Sequence, residues 1–127
     1  MPHFLISGLL ADNFDPSAMT EEMIRDIHAL NAEMDALGMR LFAGGLEPAG
    51  MAKTLRSRAS GEVIVTDGPY VEAKEHIGGL SIIECADMDD ALAWARKAIV
   101  ACGMPCEVRG IFYVPRPDVQ AGKGDSQ

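Results

Sequence analysis

Gly78-Gly-Leu-Ser-Ile-Ile-Glu-Cys85, Met88-Asp-Asp-Ala-Leu-Ala-Trp-Ala-Arg-Lys-Ala-Ile-Val-Ala-Cys102 and Cys106-Glu-Val-Arg-Gly-Ile-Phe-Tyr-Val114 read in turn as a strand, a helix and a strand. The outer runs are short, rich in β-branched and aromatic residues, and bounded by Gly or Pro. The middle run repeats apolar residues at three- and four-residue steps, with Met88, Ala91, Leu92, Ala95, Ile99 and Cys102 on one face. Asp87 precedes it, where a side-chain oxygen can cap the free N–H groups of a first turn.

The same order recurs toward the N-terminus. Residues 3–10 form a strand, and Asp12 to Pro16 carry turn chemistry. A helix follows from Thr20 to Leu37. Thr20 caps it, Glu21 and Glu22 oppose the positive end of its dipole, and Met23, Ile27, Leu30, Met34 and Leu37 form its apolar face. Gly38 terminates it. Arg40 to Leu46 is the next strand. Between the two halves, Lys53–Arg58 and Glu62–Thr66 flank an Ala59-Ser60-Gly61 turn as a hairpin. Asp67-Gly68-Pro69 then breaks the chain, and Val71 to His76 reads as a single helical turn.

With the hairpin set aside, the order is β-α-β-β-α-β, the ferredoxin-like arrangement of an α+β domain with an inserted hairpin. Both helices cover one face of its sheet. The other face carries apolar side chains of the last strand, Ile111 and Tyr113 or Phe112 and Val114, and needs a cover. A second copy of the chain is the simplest cover, so a homodimer is expected. One domain over residues 1–117 is expected, with a disordered polar tail over 118–127.

The 127 residues carry a net charge of -8, with 48% hydrophobic and 24% charged residues. This is a globular composition, and its acidity disfavours nucleic acid and anionic lipid as partners. Lys53, Arg56 and Arg58 form a local basic patch, read either as a solvated strand edge or as an anion site. No apolar run approaches a membrane span, and the first residues read as a strand and not a signal peptide. Three cysteines, Cys85, Cys102 and Cys106, fit free thiols in a cytoplasmic protein.

The segment Val65-Thr-Asp-Gly-Pro-Tyr-Val-Glu-Ala-Lys-Glu75 resembles the signature of the DGPF proteins, within the wider YCII-related family. Leu41–Pro48, Gly78-Gly79-Leu80, Asp90–Ala95 and Glu107-Val108-Arg109 extend the resemblance over residues 3–114. It implies a dimeric α+β barrel and little settled biochemistry. Small isomerases such as muconolactone isomerase suggest enzymatic roles, and some members are linked to alternative sigma factors. Many relatives of that family carry a His on the first helix as part of a proposed His–Asp pair. The matching position here is Ile27, with His28 beside it.

The candidate site lies around residues 67–76. Asp67 ends a strand, and its carboxylate can serve as a general base or close an Asx-turn. Glu72 and Glu75 fall three apart. They can share a proton or bind a cation, or form a salt-bridge cluster with Lys74. Tyr70 and His76 complete the expected ligand-binding set. Arg109 needs a partner among its apolar neighbours. Asp67 or Glu72, from either subunit, could supply it, or a substrate carboxylate could be clamped there.

His3, His28 and His76 have no metal-ligand spacing. Cys102 and Cys106 form a single pair where zinc sites want two, and Gly44-Gly45 and Gly78-Gly79 lack the spacing of a phosphate loop. No metal or cofactor is therefore expected. Two functions stay open: a cofactor-free lyase or isomerase, or binder of a small anionic metabolite, with Asp67 and Arg109 as catalytic pair; or a regulatory interaction module in which the motif is structural.

Overall fold

Six strands and two helices follow one another as β1 (His3–Ala11), α1 (Glu21–Ala36), β2 (Arg40–Gly45), β3 (Lys53–Ser57), β4 (Val63–Asp67), β5 (Glu75–Glu84), α2 (Met88–Cys102) and β6 (Cys106–Ile111), in a computed structural model that describes residues 1–117. The tail expected over 118–127 lies outside the described residues. The main sheet has the order β2-β5-β1-β6, with every neighbouring pair antiparallel. β3 and β4 pair only with each other. The chain is thus a ferredoxin-like α+β fold with a hairpin between the second and third strands of the main sheet.

Local chemistry sets the helix ends. The Thr20 hydroxyl accepts the Met23 N–H at 3.1 Å, and the Asp87 carboxylate accepts the Asp90 N–H at 2.9 Å. Gly38 and Gly103 take φ of +68° and +71° just past the two helices, a conformation that glycine adopts without steric cost. Both helices lie on one face of the sheet, where Met34, Ala91 and Ala95 pack with Phe4, Ile6 and Ile83.

Four local expectations need correction. Residues 71–74 are irregular and β5 begins at Glu75, so no helical turn forms there and Glu72 and Glu75 are not helical neighbours. The cause is a free ladder position: the end of β1 pairs with residues 75–77, with Ala11 opposite Glu75 and Leu9 opposite Ile77. The last strand stops at Ile111, because β1 offers no partner beyond His3. Leu37 is exposed at the end of α1. On α2 the buried residues are Ala91, Ala95 and Ala101, while Met88, Leu92 and Ile99 are exposed. Small side chains let that helix seat close to the sheet.

Candidate functional site

The end of β5 builds the site. Between Gly8 and Leu9 the pairing with β1 slips by one residue, leaving Gly78 as an extra residue on β5. A methyl group on Gly78 would lie 2.1 Å from Leu10 Cδ1, so a larger residue there would displace the Leu10 side chain. The bulge sets Leu10 opposite His76. Asp12 follows directly on β1, and its backbone N–H donates to the Lys74 carbonyl at 2.7 Å.

His76 is therefore held on both sides. Nε2 lies 3.2 Å from the Val71 carbonyl oxygen. Nδ1 lies 3.0 Å from Asp12 Oδ1, at ion-pair distance but off the line of a ring N–H hydrogen bond. This nitrogen is shielded from solvent. The ring borders a crevice of about 570 Å³, walled by Leu9, Leu46, Pro48, Pro69 and Val71 and edged by the carboxylates Glu47, Glu75 and Glu107.

Glu75 and His76 are the two expected ligand-binding residues that line this crevice. Asp67 faces Lys53 across the hairpin and accepts a hydrogen bond from its Nζ; its side chain is 84% exposed. The Asp67-Gly68-Pro69 turn is tied to β3 by the Gly68 N–H donating to Ala52 O at 2.7 Å and the Thr54 hydroxyl donating to Gly68 O at 2.8 Å. Tyr70 is exposed, with the Arg56 guanidinium 4.6 Å from its ring centroid. Lys53 and Arg56 of the basic patch are thus each engaged within the hairpin and its following loop.

Glu72 and Lys74 are exposed and make no side-chain ion pair among the described residues. Arg109 stands opposite Leu5 on β6, is exposed and does not line the crevice. Within the chain Asp67 pairs with Lys53 and not with Arg109. Among the described residues no three His, Cys, Asp or Glu side chains converge to hold a metal ion. The Cys85 thiol is pushed up from its ordinary pKa by burial and by the nearby Asp90 and Asp87 carboxylates. Burial, then Cys102, raises that of Cys106.

Sequence reading missed Asp12, which looked like turn chemistry. Its approach to His76 depends on strand register, for which the facing Gly8 and Gly79 are the available signal.

The YCII-related domain matches residues 4–100. The chain belongs to the YCII-related family. It is 41% identical over 76 residues to an uncharacterised protein of Rhizobium meliloti (strain 1021), and the match spans 60% of this chain and 60% of that relative's length. The YCII-related match takes in Asp12, His76 and the crevice loops, and leaves Glu107 and Arg109 outside. In this YCII-related chain a histidine–aspartate pair, His76 with Asp12, joins β5 to the end of β1.

Proposed function

We propose that the crevice below the 69–77 loop binds a small metabolite and that His76, beside Asp12, moves a proton on it through Nε2, which exchanges its contact with the Val71 carbonyl for the metabolite, without a cofactor, as a lyase or isomerase does. The observation that carries this reading is the His76 ring held between the Asp12 carboxylate and the Val71 carbonyl at the edge of an apolar crevice. A general acid–base needs a group able to give and take a proton, a second group fixing its orientation, and walls that exclude water. The carboxylates at the edge favour a neutral or cationic ligand over the anionic one that an Arg109 clamp would suit. Tyr70 acts in this reading through the loop, which its contact with Arg56 helps tie to the hairpin, while Asp67 pairs with Lys53 inside the hairpin.

The reading includes a cytoplasmic homodimer. Phe42, Ile82 and Leu5 form one row across β2, β5 and β1, on the face away from the helices, and Phe42 is 54% exposed. A second copy laid on this row would close the sheet face. Sedimentation of the wild-type chain is expected to give a dimer and of Ile82→Glu a monomer; a wild-type monomer at micromolar concentration counts against it.

The catalytic test is exchange of carbon-bound protons in heavy water, followed by proton NMR over a panel of small hydroxyketones, dicarbonyls and lactones. Wild-type protein is expected to exchange at least one of them. His76→Gln should reduce the rate by about 10²–10⁴-fold, and Asp12→Asn by less. No exchange anywhere on the panel, with folded protein throughout, would favour a second reading. In that reading the chain is an interaction module, and the exposed stripe of Leu55, Val63 and Val65 on the hairpin is its contact surface.

A further inference from the structure

A sheet and the helices on it ordinarily interlock at the density of an organic crystal. The layer between the main sheet and the two helices departs from this at one end. Gly8 of β1 stands opposite Gly79 of β5, and Gly79 stands opposite Gly45 of β2. Three adjacent strands thus carry glycine in one row. Glycine inside a strand costs about 0.5–1 kcal/mol relative to alanine, so a row of three calls for a reason.

The backbone supplies none, since none of the three has a positive φ. Packing supplies none at two of them. A methyl group on Gly8 or Gly45 would meet only a backbone oxygen at 3.8 Å. What the row leaves is space: a cavity of about 430 Å³ between sheet and helices, inside the range of roughly 300–1,000 Å³ typical of small-molecule sites. Its roof includes Leu30 of α1 and Trp94 and Ala98 of α2, with Phe14 at the β1–α1 connection. Three polar side chains, His28, Asn31 and Ser81, interrupt this otherwise apolar lining. Asn31 is half-buried on α1, and its amide makes no hydrogen bond among the described residues.

We infer that this cavity is a second ligand site, which takes a planar, largely apolar small molecule. A floor of bare peptide planes has no side chains to interlock with a branched ligand and suits a flat ring. Trp94 and Phe14 supply aromatic walls, and Asn31 can hold one polar substituent. The site is separate from the crevice at His76. The two share no lining residue, and strand alternation puts Leu9 of the crevice and Gly8 of the cavity on opposite faces of the sheet.

The probe is N-phenyl-1-naphthylamine, a neutral aromatic dye with a flat naphthalene ring that brightens in apolar surroundings. Trp94 is the one tryptophan of the chain, so its emission reports this cavity. The dye is expected to bind saturably and to quench Trp94 with the same midpoint. Gly8→Val fills the cavity from the floor and Ala98→Leu from the roof. Each should weaken binding by about tenfold or more while the thermal midpoint holds or rises, and His76→Gln should bind the dye unchanged. If one filled variant does not fold, the other decides. Saturable binding that leaves Trp94 emission unmoved would overturn the inference. So would wild-type affinity in the folded filled variants, or no dye binding at all.

Discussion

β1 and β5 meet the helices twice, and the two meetings differ. At one end Phe4 and Ile6 of β1 and Ile83 of β5 pack with Met34, Met39, Ala91 and Ala95, and Ile83 is fully buried. Farther along the same two strands, Gly8 faces Gly79 and the space above them is open. Backbone pairing runs unbroken from one end to the other as far as Gly8. Only side-chain volume changes. A single layer can therefore be core at one end and binding space at the other, without a separate domain or a break in the sheet.

Substitutions at the two ends test this contrast. Ile83→Ala should have the largest effect, a loss of about 2–5 kcal/mol in denaturant-monitored stability, because it empties a closed site. A loss well below that would mean that the packed end relaxes as freely as the hollow one. Gly8→Ala should act in the opposite direction and gain up to about 1 kcal/mol, since the added methyl group enters open space and restricts the unfolded chain. A clear loss there would show that the row is held by a constraint on the backbone.

The smallest effect concerns the entry to β2. Arg40 donates from Nε and Nη2 to the two Asp35 carboxylate oxygens at 2.6 Å each. This hydrogen bonding holds Asp35 below its ordinary pKa of 3.8, against a smaller opposing push from burial. A depressed carboxylate contributes stability above its unfolded pKa and loses it as pH falls through the folded value. The stability difference between wild type and Arg40→Met should therefore be flat above about pH 5 and shrink as pH falls from there past 3.8 and through the lower folded value. A difference that persists unchanged into stronger acid would rule out the ion pair as its source.

Much of the fold is legible because its signals are local. Thr20, Gly38 and Asp87 mark helix ends by their own side-chain or backbone chemistry, and the hairpin follows from two short runs around a glycine turn. The errors arose where tertiary packing decides. Leu92 and Ile99 look like the core face of α2 by size, yet the buried residues are Ala91, Ala95 and Ala101. Residues 71–76 read as a helical turn from their local composition, but the end of β1 draws 75–77 into its ladder. His76 was legible as the histidine to watch, whereas Asp12 and the glycine row depend on register across strands. Gly44-Gly45 and Gly78-Gly79 are unremarkable as dipeptides and acquire meaning only when Gly45, Gly79 and Gly8 are set side by side.

The hairpin's ladder closes on itself, and its tip is a turn in which Gly61 takes φ of +91° and donates its N–H to Arg58 O at 2.8 Å. The crevice draws on the chain around the hairpin's base, at 46–52 and 69–77, and on none of the tip at 58–62. Length added at the tip is thus uncoupled from the geometry at His76, as exposed loop tips generally allow. For an engineer this is a socket: a peptide tag, a surface anchor or a second protein spliced between Ala59 and Ser60 would ride on the domain and leave both binding spaces open for assay.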